Sequence, residues 1–277
     1  MTGAVRGRPL RGSTLHVRSG HATDVGRVRG HNEDSLLDDG PVFAVADGLG
    51  GHAAGEVASR LAVEALAALV AEPATRPEDV ASVLHDANAR ILSSEREHPQ
   101  QQGMGTTVTG LTLADTGDRE QWVVFNIGDS RVYRLAEHRL EQVTRDHSEV
   151  RELVDAGLLD PSEAARHPLR NVITRSLGRD PAPDPDVWVL TPSAGERFLV
   201  CSDGLTNELD DREILQLLSE HPDPQSAADE LVGAALRAGG RDNVSVVVVV
   251  VEDAEDPADG GEDDDADTAP RAGLARP

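Results

Sequence analysis

Seven short apolar runs punctuate this chain, at 42–46, 106–113, 121–127, 131–135, 139–143, 197–202 and 243–251. Each is aliphatic or β-branched and bounded by Gly, Asp or Asn, the pattern of a strand between turns. Other segments space their apolar residues for a helix: 55–71, 78–97, 146–157, 211–220 and 225–238. In the first of these, Val57, Leu61, Leu66 and Leu69 fall near one helical face. The runs 106–113 with 121–127, and 131–135 with 139–143, predict hairpins. Hairpins followed by helices, without strict strand–helix–strand alternation, predict an α+β fold of mainly antiparallel sheets with helices packed outside. Residues 158–190 show one weak helical turn among Pro161, Pro168, Gly178, Pro181, Pro183 and Pro185, and so long an irregular insertion predicts a functional flap. The patterned body spans 21–251, preceded by a flexible arginine-bearing arm at 1–20. Residues 252–277 hold ten acids and two arginines among Pro, Gly and Ala, which predicts a disordered acidic tail.

Acidic residues stand where the apolar runs end. Asp47 follows Val42–Ala46, Asp129 follows Trp122–Gly128, Asp203 follows Phe198–Ser202, and Asp242 lies just before Val244–Val251; Asp34 closes the segment 23–34. A carboxylate at such a place costs free energy unless water, a hydrogen bond or a cation compensates it. Asp47-Gly48 alone is most simply an Asx-type turn. Its repetition as Asp203-Gly204 after a second strand, with Asp242-Asn243 before a third, points instead to strand ends gathered round hard divalent metals. One carboxylate can bridge two cations ~3.5–4 Å apart, and such a pair activates water for attack on a phosphate. Gly48-Leu49-Gly50-Gly51 allows close backbone approach beside Asp47.

Composition narrows the chemistry. The 277 residues carry a net charge of −24, which argues against nucleic acid and anionic membrane as partners. No apolar run reaches the ~18 residues of a spanning helix, and no charged-then-apolar leader opens the chain, so a cytoplasmic protein is expected. All 26 basic residues are arginine. Without lysine, Walker-type phosphate loops, the protein-kinase strand lysine and Schiff-base catalysis are excluded in their usual forms. One cysteine permits neither an internal disulfide nor a thiolate cluster, and the ten scattered histidines offer no i, i+4 pair on one helix for zinc. Cys201, inside an apolar run, reads as inert core. Arg29, five residues from both Asp24 and Asp34, reads either as a structural ion pair or as a guanidinium fork for a phosphate dianion. Gly105-Thr106-Thr107 reads as the start of a strand, and His52 as an exposed histidine near a helix start.

Six segments taken together resemble the bacterial branch of the metal-dependent protein phosphatase family, type 2C. They are Thr23 to Asp34, Ala46-Asp47-Gly48-Leu49-Gly50-Gly51-His52, Gly103-Met104-Gly105-Thr106-Thr107, Asn126-Ile127-Gly128-Asp129-Ser130-Arg131, Cys201-Ser202-Asp203-Gly204-Leu205 and Gly240-Arg241-Asp242-Asn243. The resemblance covers about 21–251 and implies a four-layer α-β-β-α sandwich. It implies two to three Mn²⁺ or Mg²⁺ ions at one end. Asp47 would bridge two of them, Gly48 would give its carbonyl to one, and Asp203 and Asp242 would complete the second. Asp129 would hold a third ion with Asp203 shared, and Asn171 in the flap at 146–180 would reach it. Glu33 and Asp34 resemble the acidic pair that touches metal-bound water, and Arg29 the arginine that binds the substrate phosphate. Leu49 stands where animal-type members carry a histidine general acid, so the resemblance supplies no proton donor for the leaving group.

The activity implied is hydrolysis of phosphoserine and phosphothreonine in proteins, with kinases and their substrates as partners. Two alternatives stand beside it. One is a phosphatase dedicated to a single switch protein of the anti-anti-sigma type. The other is an inactive relative that binds phosphoproteins, which the presence of Asp47, Asp129, Asp203 and Asp242 disfavours.

Overall fold

The computed structural model describes residues 8–9, 15–50, 54–71, 76–115, 120–164 and 166–253. The chain opens with β1 (Arg8–Pro9), β2 (Leu15–Asp24), β3 (Asp34–Asp39) and β4 (Val42–Leu49), then forms α1 (Ala54–Leu66), α2 (Ala68–Ala71) and α3 (Pro77–Glu97). A second group of strands follows: β5 (Gly105–Thr106), β6 (Val108–Asp115), β7 (Glu120–Ile127), β8 (Arg131–Ala136) and β9 (Arg139–Gln142). Among the described residues the flap region carries the short helices α4 (Glu149–Asp155) and α5 (Pro161–Ala164). The chain then returns through β10 (Asp186–Leu190), β11 (Arg197–Cys201), α6 (Asp203–Thr206), α7 (Asp211–Glu220), α8 (Pro224–Ala238) and β12 (Val244–Asp253).

The strands form two antiparallel sheets. One runs β1-β2-β12-β11-β8-β9; the other runs β10-β7-β6-β4-β3, with β5 attached to β4. Both expected hairpins are present, as β6–β7 and β8–β9. Side-chain alternation explains why the central strands read as unbroken apolar runs. In β12, Val247, Val249 and Val251 point into the inter-sheet core with Phe43, Trp122 and Phe198, while Val246 and Val248 point outward to Leu231 and Ala235 of α8. In β4, Phe43 and Val45 face the other sheet, while Ala44 and Ala46 pack with Ala58 and Leu66 of α1 and Leu84 of α3. Each sheet is thus buried on both faces, giving four layers in the order helix, sheet, sheet, helix.

Besides the two-residue β1, three strands were not legible as apolar runs. β2 and β3 are polar or acidic and only partly buried, whereas β10 is largely apolar but ends the 158–190 stretch read as irregular; β3 and β10 lie at sheet edges. β2 begins at Leu15, so residues 15–20 belong to the sheet rather than to the expected arm: they pair with β12 over Leu15↔Asp253 to Asp24↔Val244. The packed face of α1 also differs from the expected one. Ala58, Ala62 and Ala65 are fully or almost fully buried with Leu66, whereas Val57 and Leu61 are only partly so. Alanines let this helix lie close against the equally small Ala44 and Ala46 of β4. β12 extends through Glu252 and Asp253, two residues of the expected tail; the remainder, 254–277, lies outside the described residues.

Candidate active site

Strand register brings the acids together. Asp34 opens β3 and Asp47 lies near the end of β4; the antiparallel pairing sets them directly opposite each other. Like charges so placed are destabilising unless protonated or neutralised by a cation. In the other sheet, Cys201 of β11 pairs with Val246 of β12, so Asp203, which begins α6, and Asp242, which precedes β12, lie beyond the same end of neighbouring strands. Asp129 follows β7 through Gly128 at φ +115°, a left-handed backbone suited to glycine. Four segments distant in sequence therefore deliver carboxylates to one end of the sandwich.

Their mutual field is strong. Burial, then the charges of Asp34, Asp203, Asp129 and Asp242, holds the Asp47 carboxyl well above the usual carboxylate range. Burial followed by Asp203 and Asp146 does the same to Asp129. Burial followed by Asp242 raises Asp203, whose carboxyl also shares a hydrogen bond with Asp47. Asp34 is pushed up to about 7, chiefly by burial, although hydrogen bonds from Ser245 and Ser202 act the other way. Ser202 Oγ donates to Asp34 Oδ2 at 2.9 Å. Oδ1 of Asp34, of Asp129 and of Asp203 is buried with no hydrogen-bond donor among the described residues. Three orphaned carboxylate oxygens in one acidic cluster are the feature a hard cation satisfies.

The backbone round Asp47 is clamped by Thr106 and Thr107, which taken by themselves read as a strand start. Thr107 Oγ1 accepts from the Asp47 N–H at 3.0 Å, and the Thr107 N–H donates to the Asp47 carbonyl at 2.9 Å. Thr106 Oγ1 donates to the same carbonyl at 2.9 Å. Asn243 is a second anchor that residue-by-residue reading missed. Its Oδ1 accepts from the Glu33 N–H, and its Nδ2 donates to the carbonyls of Val25 and His31, each at 2.9 Å. It thereby ties the 25–33 loop to β12; its place inside the Gly-Arg-Asp-Asn segment was the available signal.

Gly48 bears out the expected close backbone approach. A Cβ there would lie 2.5 Å from the Glu33 carbonyl oxygen and nearer still to that of Gly55. Gly48→Ala is expected to cost roughly 1–3 kcal/mol through overpacking and to lower turnover by displacing Asp47. Thermal melts and a phosphatase assay check both; a variant indistinguishable from the parent would mean the backbone there is not constrained.

Arg29 reaches the cluster from the 25–33 loop. Its Nη2 donates to Asp242 Oδ2 at 2.7 Å while half its side chain remains exposed (51%), so the ion pair and a free guanidinium edge coexist. This engagement bears on the expected ligand set, since Asp242 gives one oxygen to Arg29. Among the described residues, no group of three or more His, Cys, Asp or Glu is drawn together as a ready-made metal site. Hard ions such as Mg²⁺ need only one or two carboxylates and complete an octahedral shell with other oxygens, usually water. The neighbouring carboxyls of Asp47 and Asp203 and the orphaned oxygens of Asp34 and Asp129 fit that requirement.

Glu33 takes part through its backbone, accepting from the Gly48 N–H at 3.2 Å and from Ser59 Oγ at 2.6 Å. Asn171 is exposed on the flap and lines the groove beside the cluster. Asp146 lines it too, held by Arg131 at 2.6 Å; sequence reading did not single it out. Cys201 is fully buried and its thiol is pushed up to about 12 by that burial, which removes it as a nucleophile. His52 and Gly51 lie outside the described residues.

An α+β sandwich whose strand ends collect carboxylates at one edge has the architecture of the metal-dependent phosphatases. The chain belongs to the protein phosphatase 2C family, whose model matches residues 27–234. It is 41% identical over 244 residues to the serine/threonine protein phosphatase PstP of Mycobacterium tuberculosis, a match covering 87% of this chain but 46% of PstP. The chain thus spans about half the length of that relative. It is 35% identical over 238 residues to the serine/threonine phosphatase stp of Listeria monocytogenes, covering 82% of this chain and 93% of stp. The crystal structure of the PstP catalytic domain in complex with two manganese ions superposes with a TM-score of 0.79 at 38% identity, covering 86% of this chain and all of that one.

Proposed function

We propose that this protein hydrolyses phosphoserine and phosphothreonine in phosphoproteins, with two to three Mn²⁺ or Mg²⁺ ions held by Asp47, the Gly48 carbonyl, Asp203, Asp242 and Asp129. The observation that carries this reading is the convergence of Asp34, Asp129 and Asp203 with buried, unpartnered oxygens round the hub of Asp47. Bound ions of this kind supply an acidified water and neutralise charge on a phosphoryl group.

The chain's own residues do the rest. Arg29, anchored by Asp242 and half exposed, offers its remaining N–H groups to the phosphate oxygens as a charge-assisted fork. Thr106 and Thr107 fix the Asp47 main chain, so its carboxylate needs no reorganisation. Asp34, hydrogen-bonded by Ser202 at the edge of the cluster, is held above the usual carboxylate range in the metal-free protein, chiefly by burial. No side chain is required to form a phosphoenzyme. Serine/threonine kinases and their substrates are the phosphoproteins we propose as clients, in the cytoplasm; no helix among the described residues is long and apolar enough to cross a membrane.

The direct test is release of p-nitrophenol from p-nitrophenyl phosphate. Turnover is expected with added Mn²⁺ or Mg²⁺ and is expected to vanish with chelator. A well-folded protein inert with either ion would leave only the phosphoprotein-binding alternative.

A further inference from the structure

Beside the acid cluster lies a groove of about 1090 Å³ lined by the flap and by the segment from Gly204 to Arg212. Its charge is opposite to that of the protein: seven arginines and five acids line it, in a chain of net charge −24. The five acids already have partners. Asp146 is held by Arg131 at 2.6 Å, Glu208 by Arg241 at 2.8 Å and Asp242 by Arg29 at 2.7 Å. Asp210 caps α7 by accepting from the Glu213 N–H at 2.8 Å, and Asp211 accepts from Tyr133 Oη at 3.0 Å. Arg151 is taken by Asp155 at 3.1 Å. Three arginines remain: Arg166 and Arg170 on the flap and Arg212 in the first turn of α7. All three are exposed, and their guanidinium groups make no ion pair or hydrogen bond among the described residues. Arg29 and Asp242 line the same groove, so it runs continuously into the acid cluster.

We propose that this groove receives the polypeptide flanking the phosphorylated residue and selects segments that carry further negative charge there, with Arg166, Arg170 and Arg212 as specificity-determining residues. The proposal rests on the phosphatase reading and names its substrate class. A guanidinium fork matches a carboxylate and a second phosphate equally well in geometry, and the phosphate more strongly in charge. Electrostatic attraction of this kind acts on capture of the substrate, so it appears in KM rather than in kcat.

The test compares three phosphothreonine peptides of one sequence: neutral flanks, glutamate flanks, and a second phosphoserine among the flanks. Each is assayed with the full chain and with the triple variant R166Q/R170Q/R212Q, alongside p-nitrophenyl phosphate, which has no flanks. The parent is expected to cleave both charged peptides with kcat/KM about tenfold above the neutral one, as three exposed charge contacts together allow. The preference is expected to lie in KM and to shrink as salt is raised. In the triple variant it is expected to fall to about twofold or less, with turnover of p-nitrophenyl phosphate and the melting temperature unchanged. Equal cleavage of all three peptides by the parent, or a preference that survives in the triple variant, would overturn the proposal. Failure of the parent on p-nitrophenyl phosphate itself would overturn the phosphatase reading instead, and this inference with it.

Discussion

Asp47→Asn is expected to lower metal-dependent kcat by at least about 10³-fold while the metal-free variant melts at a higher temperature than the parent. Both halves follow from the same position. Asp47 stands opposite Asp34 across β3–β4 and shares a hydrogen bond with Asp203, and the charges of Asp34, Asp203, Asp129 and Asp242 all bear on it. An amide keeps the shape and the backbone clamp from Thr106 and Thr107 but brings no ionisable acid into that crowd. Repulsion falls, and with it the capacity to hold divalent ions. The stabilisation by added Mn²⁺ is therefore expected to shrink in the same variant. Activity assays and thermal melts with and without Mn²⁺ measure the two halves separately. Ordinary turnover by the variant would refute the role of Asp47, and a lower metal-free melting temperature would refute the account of the cluster as repulsive.

Stripped of metal, the protein is expected to lose stability as pH rises from about 5 to about 8, and saturating Mn²⁺ is expected to reverse the trend. The sign follows from Asp34, whose folded value of about 7 lies above the unfolded ~3.9. Between those limits the folded state binds more protons than the unfolded state, so stability falls with rising pH. The contribution is fully present below the unfolded value and is lost as pH passes about 7. Asp47, Asp129 and Asp203 are raised too and act in the same direction.

Two histidines titrate in the same window. His21, raised chiefly by its hydrogen bond to Asp38, favours the fold at low pH, whereas His147, lowered by burial, favours it at high pH. Their contributions oppose each other. Asp155, Asp186 and Glu208 are lowered, so their stabilisation is lost only at acid pH, below this window. A loss on the order of 2 kcal/mol corresponds to a fall of roughly 4–8 °C in melting temperature for a domain of this size. Melts in chelator across the range, repeated with Mn²⁺, check it; a metal-free melting temperature that is flat or climbs with pH would contradict the repulsive cluster.

The sequence by itself determined a good deal here. Apolar runs such as 42–46 and 243–251 marked the strands buried on both faces, because only a two-sided core demands unbroken aliphatic residues. The acids at the ends of those runs, and Gly48 where two backbones meet, were also readable, since a carboxylate or a missing side chain at a strand end has few purposes. Missing from the sequence were strands whose burial is supplied by neighbours rather than by their own side chains: β2 with His16, Arg18 and Ser19, and β3 with an acid at each end.

Tertiary structure alone decided which groups meet. Register set Asp34 against Asp47, and antiparallel β11 and β12 brought Asp203 and Asp242 to one end. The same folding engaged each acid of the groove while leaving Arg166, Arg170 and Arg212 without side-chain partners among the described residues. Pairing of charges depends on distance across the fold, whereas a sequence gives their order only along the chain.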